Sequence, residues 1–318
     1  WPQRPSSAAP EPRQGSGLSA TAFSLVVLAG LIHALWNIAA KKAGGDARFA
    51  CFTAGVGLVA WAPVAVWLGW DVLPQWGRWE WAFVFASGVL HVLYFVVLLR
   101  GYRHADLTVV YPLARGTGPL LSSLVALLWL GESMSLFGAL GVVGVVGGVF
   151  LIAGGPKLIT EWRRTDDLSE TQLAAQQLRS AGVRYGLLTG GVIACYTVVD
   201  GYAVKVLLMS PFLAHYFESL VRWTLLMPVV LRDRPTAWTL WGQQWRYALI
   251  VGVLTPISYV LVLYAMQTAP LSLVAPAREV SMLFAALIGG HLLGEGERWL
   301  RLLGAVLIAV GVAMLGMA

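Results

Sequence analysis

The sequence predicts an all-α polytopic membrane protein: ten transmembrane helices in two inverted five-helix repeats. Three observations carry that prediction. The first is composition, with 58% hydrophobic and only 12% charged residues and a mean hydropathy of +0.71, against about 25% charge in a soluble domain. The second is hydropathy, which resolves ten apolar stretches at 21–41, 49–69, 80–100, 107–130, 135–154, 184–205, 211–231, 246–266, 270–293 and 298–317. Each runs about 20 residues, enough to cross a hydrocarbon core of roughly 30 Å as a helix, the only open-chain structure that satisfies its backbone there. The third is an internal repeat.

The elements follow in order. Residues 1–20 are rich in Pro, Ser, Gly and Arg and read as a disordered tail. No short apolar region ends in a small-residue cleavage site, so the first stretch reads as a true span. Spans one to five, residues 21–154, form the first repeat. Residues 155–183 are the one long polar segment, a connecting loop of partly helical character, and 184–318 hold the second repeat. The duplication shows best in the fourth and ninth spans. Ala105-Asp106-Leu107-Thr108-Val109-Val110-Tyr111-Pro112-Leu113-Ala114-Arg115 aligns with Ala269-Pro270-Leu271-Ser272-Leu273-Val274-Ala275-Pro276-Ala277-Arg278. Both run on to Gly-Glu, at Gly131-Glu132 and Gly294-Glu295. Gly88-Val89-Leu90-His91 with Tyr94 likewise matches Gly252-Val253-Leu254-Thr255 with Ser258, and Asn37 and Lys42 fall opposite Asp200 and Lys205. Repeats inside a hydrophobic chain are the usual construction of a secondary transporter.

An odd number of helices per repeat turns the second copy upside down, and the charges agree. Of 22 Lys and Arg, fifteen fall on the side that holds the 155–183 segment, four on the other side, and three (Arg115, Arg222, Arg278) within spans. By the positive-inside rule the connecting segment is cytoplasmic and both termini lie outside the cell membrane. The net charge of +6 is thereby explained by orientation, with the lipid bilayer rather than nucleic acid as partner. Cys51 and Cys195 lack metal or redox spacing and read as small packing residues.

Ten helices, two inverted halves, and proline-containing fourth and ninth spans leading to Gly-Glu resemble the drug/metabolite transporter superfamily, specifically its EamA-type exporters and permeases. The Ile32-His33-Ala34-Leu35-Trp36-Asn37 and Tyr111-Pro112-Leu113-Ala114-Arg115-Gly116 runs resemble a subgroup associated with phosphonate utilisation. The resemblance implies a central cavity, alternating access by rocking of the halves, and a small anionic organic substrate. It also implies cytoplasmic termini, opposite to the charge count.

Arg115 and Arg278 are the leading substrate-binding candidates. A guanidinium at membrane depth costs at least ~2.5–3.5 kcal/mol on insertion scales, so each must face a cavity or a partner. Two forks near the pseudo-twofold axis suit a phosphonate, phosphate or carboxylate. The competing expectation is internal neutralisation, with Glu279 adjacent to Arg278. His33, Trp36 and Asn37 share a face of the first span, His91 and Tyr94 one of the third; Tyr111 precedes Arg115 by one turn, and Tyr196 precedes Asp200 by one turn. All are candidate cavity-wall residues, or interhelical hydrogen-bonding groups. Asp200, Glu279, Glu218 and His215 are candidate proton carriers. For the His215, Glu218 and Arg222 face the alternative is that Glu218 and Arg222, four residues apart, neutralise each other. Glu132 and Glu295, just past helix ends, are expected to cap the helix that follows each. Tryptophans near 70, 76, 79, 81, 238, 241 and 245 read as interfacial anchors. Glycines 138, 141, 144, 147, 148, 304 and 311 read as close-packing positions between the fifth and tenth spans.

The readings that follow are a secondary active transporter of a small polar, anionic metabolite (organophosphonate, carboxylate or amino acid), with a proton as candidate coupling ion. An exporter of amino acids or of cationic, aromatic drug-like compounds is the alternative. An intramembrane enzyme is remote: HExxH, Gly-x-Ser-x-Gly and Walker-type motifs are lacking, and no cofactor or metal is expected. A monomer or homodimer serves either transporter reading.

Overall fold

A computed structural model of the chain describes residues 18–105, 107–152, 170–290 and 298–318. Its elements are almost all helical: α1 (Ala20–Ala43), α2 (Ala47–Val72), a 3₁₀ turn (Leu73–Gln75), α3 (Arg78–His104), α4 (Leu107–Trp129) and α5 (Leu136–Ile152) form the first repeat. The second holds α6 (Glu170–Lys205), α7 (Pro211–Arg232), α8 (Arg234–Thr268), α9 (Leu271–Ala277), α10 (Val280–Gly290) and α11 (Arg298–Met317). Among the described residues, five segments, at Ala20–Ala43, Ala47–Gln75, Arg78–His104, Ser180–Lys205 and Arg234–Thr268, are each long and apolar enough to cross a membrane. Local chemistry sets the helix ends. The Ser19 hydroxyl accepts from the Ala22 N–H at 3.1 Å to start α1. Gly44, at φ 61°, stops it in the left-handed region that glycine adopts without strain. Asp46 starts α2 by accepting from the Arg48 and Phe49 N–H groups.

The packing repeats when the halves are exchanged. α1 lies on α8 and α10, while α6 lies on α3 and α4; α2 meets α7, and α5 meets α11. Contacts between loops establish the inversion. At one end Arg48, after the α1–α2 turn, reaches Asp233, before α8, at 2.9 Å, and Gln244 of α8 donates to the Ala43 carbonyl at 3.1 Å. At the opposite end Glu132, after α4, meets Lys205, at the close of α6, at 2.8 Å. The first repeat's loops therefore abut second-repeat loops of the other parity, as antiparallel copies require.

The α5–α11 seam is built from backbone. A Cβ on Gly148 would stand 2.6 Å from the Gly304 carbonyl oxygen, and one on Gly311 2.8 Å from that of Gly141. The glycine stripe is thus used within one chain, although Gly147 meets nothing. Outside, Trp70, Trp79 and Trp238 are exposed over apolar helix flanks, as expected of residues at a lipid interface. Trp76 instead turns inward, its ring 5.0 Å from Trp81 and 5.7 Å from Phe217.

Two expectations are corrected. The ninth span is two helices, broken at Arg278-Glu279, whereas α4 continues through Pro112. Pro276 has no N–H to give the Ser272 carbonyl, and the Ser123 hydroxyl of α4 donates to that oxygen instead, at 2.8 Å. Past the proline the chain tightens into three-residue bonds, Glu279 N–H to the Pro276 carbonyl (2.9 Å) and Met282 N–H to that of Glu279 (2.8 Å). The second correction concerns Glu132, which does not cap α5. Ser135 does so, its hydroxyl accepting from the Gly138 N–H at 3.0 Å. Gly131, at φ 67°, turns the chain so that the Glu132 carboxylate accepts from the Leu271 and Ser272 N–H groups, both at 2.9 Å. It therefore caps α9 of the other repeat. Its counterpart Glu295, with Gly294, lies outside the described residues.

Candidate functional site

The two repeats meet chemically at Arg115, Arg278 and Glu279. Arg115 projects from α4 and its Nη2 stands 2.9 Å from Glu279 Oε2, an ion pair between the halves. The same nitrogen donates to the Ser281 hydroxyl at 3.0 Å. Glu279 sits in the break between α9 and α10 and is fully buried. Arg278 Nε lies 3.9 Å from the other oxygen of Glu279. Among the described residues the Arg278 guanidinium makes no hydrogen bond, although its side chain is only 6% exposed. Two guanidinium groups share one carboxylate, so the trio keeps one positive charge in excess. Both arginines thus pair with Glu279, Arg115 closely at 2.9 Å and Arg278 only loosely at 3.9 Å.

His33, Tyr94 and Tyr196 all lie in the fields of both guanidinium groups, which groups α1, α3 and α6 around the trio. The His33 ring packs edge-on against Trp36 at 4.6 Å, and Asn37 Nδ2 donates to the His33 carbonyl at 3.0 Å. Trp36 Nε1 reaches across to Ser258 of α8 at 3.2 Å. Tyr111 donates to the sulfur of Met282 in α10 at 3.3 Å. Trp36 and Tyr111 thus make helix-to-helix contacts, while the Asn37 hydrogen bond stays within α1.

A second buried cluster joins α3, α6, α7 and α8. Asp200, 8% exposed, accepts a hydrogen bond on Oδ2 from the Tyr259 hydroxyl. His91 stacks on Tyr196 at 4.2 Å between ring centroids and takes a contact with the Ser87 carbonyl at 3.0 Å. Glu218 is the hub of the charges: His215 Nδ1 approaches at 3.2 Å, His91 Nδ1 at 3.6 Å and Arg222 Nε at 3.7 Å. Neutralisation of Glu218 by Arg222 is met, with two histidines added. Tyr259, Ser281 and Ser87 are members the sequence reading missed. Tyr259 stands next to the flagged Ser258, but nothing in its spacing pairs it with an aspartate 59 residues away.

Outside the membrane-spanning segments, the Glu132 carboxyl is pushed up by burial, and the Lys205 and backbone N–H bonds outweigh that, so it titrates below its usual value. An open groove of about 640 Å³ is lined by Phe52, Leu231, Arg234, Trp238 and Trp241. None of these belongs to either cluster. No metal-ligating group of His, Cys, Asp and Glu occurs among the described residues.

Comparison with known proteins agrees with this architecture. No curated protein matches the sequence. A solved crystal structure superposes with a TM-score of 0.72 over 94% of this chain and 98% of the other at 14% identity, a likeness of fold alone. The EamA-like transporter family model matches residues 20–154 and again 180–317, once per repeat. The chain belongs to the EamA-like transporter family, whose members are membrane transporters of small molecules.

Proposed function

We propose that this protein is a secondary active transporter that moves a small polar anion through a chamber between its inverted repeats by alternating access. The observation that carries the reading is Arg278: a buried guanidinium that makes no hydrogen bond among the described residues and stands 3.9 Å from a carboxylate already bonded to Arg115. A cation desolvated to that degree needs a partner, and a bidentate oxyanion is the group its planar fork fits best. Phosphonates, carboxylates and amino acids all supply one. The polar, ring-lined surroundings (His33, Tyr94, Tyr196) favour a hydrophilic cargo over a lipophilic drug. A second reading draws on the rings and carboxylate around Asp200, which suit the ammonium of an amino acid and would extend the cargo to zwitterions.

The charge bias supports placing the connecting segment in the cytoplasm and both termini outside, in the cell membrane. Arg115, Arg278 and Glu279 all come from one chain, which supports a monomer as the transporting unit. The test is counterflow in proteoliposomes loaded with methylphosphonate. Wild-type protein exchanges it, and Arg278→Ala and Arg115→Ala lose exchange while remaining monodisperse. Retained exchange in both variants contradicts the anion site, and exchange of an amino acid but not methylphosphonate favours the zwitterion reading.

A further inference from the structure

We infer that Asp200 is the coupling-proton site of this transporter, loaded with a proton when the guanidinium site holds its anion. The inference rests on the proposed reading of the Arg115–Arg278 site and adds the ion that drives it.

The argument is a census of the buried acids. Glu279 has Arg115 at 2.9 Å. Glu132 has Lys205 at 2.8 Å and two backbone donors. Glu218 has Arg222, His91 and His215. Asp200 alone among these makes no ion pair among the described residues, its partners being the neutral hydroxyls of Tyr259 and Ser87. The groups around it come from every element packed there: His91 and Ser87 from α3, Tyr196 from its own helix, Glu218 and His215 from α7, and Tyr259 from α8. His91 is the nearest prospective cation, yet its Nδ1 is directed at the Ser87 carbonyl and at Glu218. Glu218 adds a second negative charge to the cluster.

An ionised carboxylate with no cation in contact is disfavoured in such a place, and the group escapes that cost by taking up a proton. The step is a proton binding alone. Water on the open side delivers H⁺ to Oδ1 while Oδ2 keeps the Tyr259 hydrogen bond, and the carboxylic acid returns the same proton to water on the other side. No electron moves and no covalent bond other than O–H forms or breaks.

Tyr196 and Tyr259 connect the two clusters, since both lie in the field of Arg278 as well as that of Asp200. An anion seated on Arg278 cancels positive charge that reaches Tyr196 and Tyr259, the rings beside Asp200, which disfavours an ionised Asp200, so anion and proton bind with positive coupling. By linkage each strengthens the other equally. That is symport, and with one proton per anion each pH unit supports about tenfold accumulation.

The test is difference infrared spectroscopy of the full chain in lipid nanodiscs, with carbon-13-labelled aspartate. An aspartic-acid carbonyl band, recognised by its isotope shift, is expected to grow when methylphosphonate is added or when pH is lowered. It should vanish in Asp200→Asn and persist in Glu218→Gln. In proteoliposomes the same Asp200→Asn change should bring gradient-driven methylphosphonate accumulation down to a ratio of about one. Methylphosphonate bound with no aspartic-acid band, or accumulation driven by sodium and unchanged in Asp200→Asn, overturns the proton site. Failure of methylphosphonate to bind while the labelled band still titrates overturns the anion reading and leaves the proton site standing. The labelled wild-type spectrum needs no variant, so a poorly folding substitution does not blunt the test.

Discussion

The two repeats share a scaffold and differ in charge. Arg115 of α4 and Arg278 of the ninth span hold equivalent places, yet Arg115 is followed by Gly116 and Arg278 by Glu279. Asn37 of α1 stands opposite Asp200 of α6, and His215, Glu218 and Arg222 all belong to the second copy. α4 runs unbroken, while its mate parts at the very residues that carry the charges. Buried ionisable groups in a membrane helix are expensive to keep. Their concentration in one half teaches that the duplicated frame is symmetric while most of its buried charge sits in the second copy.

Substitutions that unbalance the charged half should have the largest effects. Glu279→Ala leaves Arg115 and Arg278 buried without a carboxylate and is expected to destabilise by about 3–5 kcal/mol, seen as a large fall in Tm in detergent. Gly116→Ala, at the equivalent position of the neutral half, should cost far less, since the nearest atom to its added Cβ is 3.9 Å away. Next come the positions where the halves remain alike. Gly148→Val and Gly304→Val each drive a side chain into the other's backbone, and each should cost roughly 1–3 kcal/mol. Similar losses for the two confirm that the seam is symmetric, and a tolerated substitution at either would break that account.

Smaller effects are expected at the ends of the bundle. Glu132→Gln removes the Lys205 ion pair and weakens the α9 cap, for about 1–3 kcal/mol. The sign of its pH dependence follows from a folded value below the ordinary 4.5. The contribution is fully present above 4.5 and is lost as pH falls through the lower, folded value. Acid unfolding curves should therefore show a loss on that side which Glu132→Gln lacks. Arg48→Ala breaks a half-exposed pair with Asp233 and should change Tm least, with a cost of about 1 kcal/mol or less.

Much of the fold was legible in the chain. Apolar stretches of membrane-spanning length, an odd repeat and a reversed charge bias together determine ten spans and their inversion. The repeat register also led to Arg115 and Arg278. What was not legible depended on partners far away in sequence. Pro112 and Pro276 look equivalent, but only the second lies where Ser123 can take over the orphaned carbonyl as the helix parts. Glu132 looked like a local cap because its partners, Lys205 and the start of α9, lie 73 and 139 residues away. Asp200 could have been paired or unpaired, and only the approach of α8 with Tyr259 decides it.

The most direct test of the central claim is methylphosphonate binding by calorimetry to wild type and Arg278→Gln, with circular dichroism confirming equal fold. A guanidinium that waits for an anion predicts a weakening of about 10- to 150-fold in the variant, the worth of a charged hydrogen-bonded contact. Equal affinity in the two proteins would contradict it.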